Sequence, residues 1–228
     1  MTGALVNAAG ILAGGALGLL LRGRAPKGKG DRKKGIVQAM GLAVIIVAIK
    51  MALQSRSSMV LIVSLALGAT IGERLDLDGR LERFAARITE KTGDRFGDVG
   101  KGFVAASLLF CVGAMGIVGA LQDGLTGDAS LLYTKAMLDG GAAILFASSM
   151  GIGVLFAAVP VLLYEGAITL GASSLSPFFT DAMLAEMNGV GGVLVLAIGF
   201  DLLEMTDIRI ANLLPAIIVA FALVYFGV

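Results

Sequence analysis

Lys50, Asp139 and Glu165 are ionisable side chains set inside apolar runs, and Asn7, Gln122, Asp123 and Asn188 stand at the ends of such runs. Charge at membrane depth costs about 2.5–3.5 kcal/mol or more per group, so it is normally held in a cavity or paired with other charge. Two carboxylates facing one ammonium can bind a cation or a proton. We read Asp139 and Glu165 as cation or proton ligands, Lys50 as their counter-ion, and Asn7, Gln122, Asp123 and Asn188 as the rest of one polar layer for a small solute or ion. A purely structural account stands beside it. Lys50 snorkels from a helix end, Asp139 pairs with Lys135 four residues earlier on its own helix, and Glu165 pairs with Lys50. Glu165 carries most of the functional reading, because it lies too deep in its segment to reach headgroups easily.

Other chemistry is excluded by what is missing or misplaced. The chain has no histidine, which removes the usual general base and the commonest metal ligand, and its single cysteine excludes an internal disulfide. Cys111 lies among Phe110, Val112 and Met115, where a thiol is unreactive. Gly113, Gly116 and Gly119 follow no strand and precede no Lys-Ser/Thr pair, so they do not form a phosphate loop. We expect no enzyme activity, no cofactor and no metal.

The elements that position the polar residues are read from composition and hydropathy. Of 228 residues 57% are hydrophobic and 15% charged, and the mean hydropathy is +0.91. A soluble domain carries roughly 25% charged residues, so most of this chain is not in water. With 18 Lys+Arg against 17 Asp+Glu there is no excess of charge to recruit nucleic acid. A span takes about 20 apolar residues. The expected fold class is all-α, a polytopic membrane helix bundle forming one domain over 1–228, with spans at 3–21, 35–53, 57–72, 102–121, 133–150, 151–172, 187–203 and 210–227. The fifth and sixth meet at "SSMGIG", so one re-entrant or broken helix there is the alternative, giving seven. The first is read as a span rather than a cleaved signal, because its positive charge follows it. Pro160 and Pro215 are expected to kink the sixth and eighth spans.

Arg22, Arg24, Lys27, Lys29, Arg32, Lys33 and Lys34 fill one loop, and Arg74, Arg80, Arg83, Arg87, Lys91, Arg95 and Lys101 another. Basic loops stay in the cytoplasm, which places the N-terminus outside and the polar layer in the outer half of the bilayer. Within the segment 73–101, Leu77, Leu81, Phe84 and Ile88 make one helical stripe, read as a short amphipathic cytoplasmic helix.

Between helices in lipid, small residues permit close packing. Gly10, Gly14 and Gly18, and Gly68 and Gly72, recur at four-residue spacing, which suits tight packing within the chain or a homo-oligomer. Gly68 and Glu73 align with Gly199 and Glu204, and Asn7 with Asp139, a pattern that fits either a 4+4 parallel internal repeat or chance similarity of apolar helices.

Finally, "LLFCVGAMGIVGALQDGLTGD" with "LYTKAMLDG", "GIGVLFAAVPVLLYEGAITL", "IRIANLLPA", "TGALVNAAGILAGG" and "IGERLDLDGRLERF" resembles the YqgA/YdfK family of bacterial inner-membrane proteins over nearly the whole chain. The resemblance implies an inner-membrane location and a domain of unknown function often described as a transporter without an assigned substrate. It also implies that glutamine is common at position 165, which moves weight onto Asn7, Gln122, Asp123, Lys135 and Asp139. The expected function is therefore a transporter or channel for a small ion or solute. The alternative is a non-transporting scaffold or regulator acting through 73–101.

Overall fold

The computed structural model describes residues 1–24, 30–80, 83, 99–111 and 113–227, and all regular structure among them is helical. Most of the stripe expected at 77–88, including positions 81, 84 and 88, lies outside the described residues. The chain divides into two compact units, Met1–Lys27 with Phe84–Pro177, and Gly28–Arg83 with Phe178–Val228. Each unit takes helices from both the first and the second half of the sequence, so neither coincides with one half of the proposed 4+4 repeat.

The first unit contains α1 (Thr2–Arg24), and the second contains α2 (Gly30–Ala52) and α3 (Ser58–Leu75). The first unit continues with α4 (Val99–Cys111), α5 (Ala114–Thr126), α6 (Ser130–Met150), α7 (Gly153–Phe156), α8 (Ala158–Leu170) and α9 (Ala172–Leu175). The second is completed by α10 (Asp181–Leu202), a 3-10 turn (Ile210–Leu213) and α11 (Pro215–Tyr225). Among the described residues, four helical runs are long and apolar enough to cross a membrane: Thr2–Arg22, Ser58–Leu75, Gly153–Leu170 and Asp181–Leu202. The bent pair α4 and α5 adds a fifth if it is one span.

Local chemistry sets the ends. Ser57 caps α3 by accepting from the Val60 amide at 3.3 Å, and Thr180 caps α10 by accepting from Met183 N at 3.3 Å. Gly127 (φ 76) closes α5 and Gly151 (φ 98) follows α6, both in conformations that favour glycine. The turn at Gly151 separates α6 from α7, so the fifth and sixth expected spans are distinct helices.

The fourth expected span is broken as well. Gly113 has φ 140, and α4 and α5 meet there at 59°. The expected span at 102–121 is therefore carried by two helices, Val99–Cys111 and Ala114–Thr126. The two prolines differ. Pro215 opens α11, where an amide proton has no helical acceptor in any case. Pro160 lies three residues after the interruption at Ala157 that divides the run Gly153–Leu170, next to the Phe156 carbonyl it leaves without a helical donor.

Glycines bring backbones together inside each unit. In the first, Gly10, Gly14 and Gly18 of α1 lie against Ala136 O, Gly140 O and Ile144 O of α6, and a Cβ at Gly10 would stand 2.8 Å from its carbonyl. In the second, Gly68 and Gly72 of α3 meet Ala216 and Asn212, while Gly192 and Gly199 of α10 meet α2 at Ala52 and Ile45. Glycine rows of this kind let helix carbonyls approach Cα–H groups and lengthen the dispersion contact. Leu5, Leu12 and Leu20 of α1 and Leu42 and Ile46 of α2 are exposed, an apolar surface suited to lipid.

Candidate functional site

A buried polar cluster sits in the first unit. Asn7 of α1 and Glu165 of α8 are both wholly buried, and Lys135 and Asp139 of α6 are nearly so. Asn7 Nδ2 donates to Glu165 Oε1 at 2.8 Å and to Asp139 Oδ2 at 3.1 Å. Lys135 Nζ donates to Asp139 Oδ2, stands 3.4 Å from Glu165 Oε1, and donates to the Phe110 carbonyl at 2.7 Å.

Each contact follows from local structure. Lys135 and Asp139 share a face of α6 because they are four residues apart. Gly10 and Gly14 let α1 approach α6 closely enough for Asn7 to reach Asp139. The break at Gly113 explains the Phe110 contact: in an unbroken helix that carbonyl would serve the amide of residue 114. Gly116 of α5 covers the cluster, with a Cβ there standing 3.4 Å from Lys135 Cε and 3.6 Å from Glu165 Oε1. Asn7 Oδ1 and Glu165 Oε2 are buried and have no hydrogen-bond partner among the described residues.

Of the seven expected site residues, the structure thus brings together Asn7, Asp139 and Glu165. The cation between the two carboxylates is Lys135, not Lys50, which is exposed in the last turn of α2 in the second unit. There its charge complements the helix C-terminus. Asp123 is buried, but it serves α1 by accepting from Gly3 N at 3.1 Å and pairing with the Met1 amino group at 2.9 Å. Gln122 faces the adjoining loop, donating to Asp128 Oδ2 at 2.7 Å. The Ser130 amide beside Asp128 holds the Asp128 carboxyl below the ordinary range, with Gln122 adding to the effect.

Asn188 lies in the second unit and donates to Gln54 Oε1 at 2.8 Å. Near it in sequence is a contact that residue types did not reveal. Glu186 accepts from Ser55 Oγ at 2.6 Å, Arg56 N at 2.6 Å and Ser57 N at 2.9 Å, tying α10 to the start of α3. Asn212 makes a similar tie, accepting from Asp78 N at 2.8 Å and donating to Glu73 Oε1 at 2.9 Å. Among the described residues, no group of three or more His, Cys, Asp and Glu side chains is arranged to hold a metal.

Apolar helices of membrane-crossing length and a charged cluster buried among helices define an all-helical membrane protein. Residues 2–225 match a family described as a protein of unknown function (DUF554), and the chain belongs to that family. It is 30% identical over 226 residues to "Uncharacterized protein YqgA" of Escherichia coli (strain K12), covering 97% of this chain and 95% of that one. It is 31% identical over 224 residues to "Uncharacterized membrane protein YdfK" of Bacillus subtilis (strain 168), covering 96% and 93%. No solved structure matches the chain.

Proposed function

We propose that the protein is a membrane transporter or channel for a small ion or solute, working through the buried cluster of Asn7, Lys135, Asp139 and Glu165. The supporting observation is a charged group of four side chains, from three helices, buried where charge is costly and holding two acceptors without donors. A buried ion pair kept for stability alone gains little over apolar packing of the same volume. A site for a guest needs such groups, and a broken helix aiming a carbonyl at it, as α4 does at Phe110, is a recurrent feature of transport sites.

The reading takes the chain as crossing a bacterial inner membrane eight times. The four apolar runs and the bent pair then supply five crossings, and α2, α6 and the segment Ile210–Tyr225 supply the rest. α6, at 21 residues, is long enough and carries Lys135 and Asp139 in its apolar line. With the basic loops inside, the N-terminus is outside and the cluster lies in the outer half of the bilayer.

The test is flux in proteoliposomes, screening inorganic ions and amino acids, with Asp139→Asn as the site variant. Transport of at least one solute by the parent chain, reduced at least tenfold in the variant, is expected. Equal flux in both would remove the cluster from the path, and no flux for any solute would favour a scaffold acting through 73–101.

A further inference from the structure

We propose that Glu165 carries one exchangeable proton on Oε2, hydrogen-bonded to Asn7 Oδ1, and that this carboxyl is the proton carrier of the transport reaction. The proposal rests on the transport reading above and names the coupling species at the same site.

Two independent counts lead to it. The first is of donors. A lysine ammonium has three N–H groups, and Phe110 O, Asp139 Oδ2 and Glu165 Oε1 occupy the surroundings of Lys135 Nζ. The Asn7 amide group is spent on Glu165 Oε1 and Asp139 Oδ2. What remains without a partner is Asn7 Oδ1 and Glu165 Oε2, both acceptors and both on wholly buried side chains. Two acceptors cannot satisfy one another. A proton on Oε2 turns one of them into a donor, and the carboxamide and carboxyl are already joined at 2.8 Å through Nδ2 and Oε1. A neutral acid and a primary amide pair at two points, N–H to O and O–H to O, so a single proton satisfies both orphans.

The second count is of charge. Lys135 offers one positive charge against the carboxylates of Asp139 and Glu165. With both ionised the cluster holds one net negative charge away from water, which desolvation disfavours. With Glu165 protonated it is neutral. An anion would worsen both counts.

The groups facing Glu165 are Lys135 and Asp139 from α6, Cys111 from α4 and the neighbouring Tyr164 on α8; α1 presents Asn7 and α5 presents Gly116, neither of which titrates. In each cycle an O–H bond forms on Oε2 with a proton from water on one side and breaks by release to water on the other. No electrons move, and the cluster alternates between neutral and singly negative.

Infrared difference spectroscopy of the full chain in lipid nanodiscs, stepped in pH, reads this proton without requiring transport. A protonated-carboxyl C=O band is expected at neutral pH, lost on alkalinisation, absent in Glu165→Gln, lost at lower pH in Asp139→Asn because Lys135 then faces a single carboxylate, and moved to higher frequency in Asn7→Ala, which removes the amide donor. No such band at neutral pH, or one that persists in Glu165→Gln, would overturn the proposal. So would loss of the band on adding sodium chloride at fixed pH, which would make a metal cation the occupant. The parent titration and Asn7→Ala decide the matter even if Glu165→Gln fails to assemble. A band without flux would sink the transport reading and leave the protonated pair; flux without a band would do the reverse.

Discussion

Lys135 Nζ of α6 lies 3.4 Å from Glu165 Oε1 of α8, and the same ammonium reaches Phe110 O of α4 at 2.7 Å. One side chain therefore ties three helices of the first unit together at a depth where none of its partners has water as a substitute. The consequence is asymmetric. Keeping the pair adds little net stability, whereas removing one member leaves the others charged and unserved.

Lys135→Met should accordingly lower stability by about 3–5 kcal/mol, the usual cost of stranding a buried charge. Adding Asp139→Asn to that variant should recover most of the loss, because it removes the carboxylate left charged beside the neutral Glu165. Unfolding in mild detergent, run as a double-mutant cycle, measures both. A Lys135→Met chain as stable as the parent would mean the carboxylates are already neutral without the lysine.

Much of this was legible in residue types, because burying Asp139 and Glu165 in apolar runs has few physical explanations. Their partner was harder to read. Lys50 and Lys135 each stand near a helix end in sequence, and only the approach of α8 to α6 distinguishes them. Helix pairing in lipid is set by the fit of small residues rather than by an apolar stripe, so a sequence shows that Gly10, Gly14 and Gly18 make a tight face but not that α6 fills it. The break at Gly113 was hidden for a related reason: glycines are frequent in apolar helices, and only the backbone shows that Gly113 takes φ 140 while Gly116 and Gly119 stay helical. Glu186 was passed over because a carboxylate immediately before an expected span reads as solvated, whereas three donors from the turn before α3 fold onto it.

Gly14 and Gly141 give opposite responses to the same substitution. A Cβ at Gly14 would collide with the Gly140 carbonyl of α6, backbone that cannot move aside, while at Gly141 nothing lies within 4 Å. Gly14→Ala should cost about 1–3 kcal/mol through forced separation of α1 and α6. Gly141→Ala should be neutral or stabilise by roughly 0.5–1 kcal/mol through the lower backbone entropy of alanine in a helix. Thermal unfolding of the two variants side by side is the check, and a loss at Gly141 equal to that at Gly14 would contradict the packing described.

Glu186→Ala should loosen the start of α3. It strands the amides of Arg56 and Ser57 and the Ser55 hydroxyl, at about 1–3 kcal/mol for groups left without an acceptor. Glu186→Gln keeps one acceptor oxygen and should lose less. Hydrogen exchange at the Arg56 and Ser57 amides localises the effect: exchange there should quicken in both variants, more in Glu186→Ala, while the α1 amides stay protected.

Asp128 sits in the loop between α5 and α6, and its carboxyl is held low chiefly by the Ser130 amide, which donates to Oδ1 at 2.9 Å, with Gln122 Nε2 on the other oxygen at 2.7 Å. Because the folded value is below the unfolded one of about 3.9, the loop is favoured fully above that pH and loses the benefit as pH falls through the folded value. Ser130 opens α6, so Ser130→Pro removes the amide proton and the hydroxyl without breaking a helical hydrogen bond, and it moves Ala129 from φ −93, ψ 9 toward an extended conformation. Carbon-13 NMR of the Asp128 carboxyl should show its midpoint rise in Ser130→Pro and rise less in Gln122→Ala. A larger rise in Gln122→Ala would make the side chain, rather than the helix-start amide, the main acid-strengthening contact.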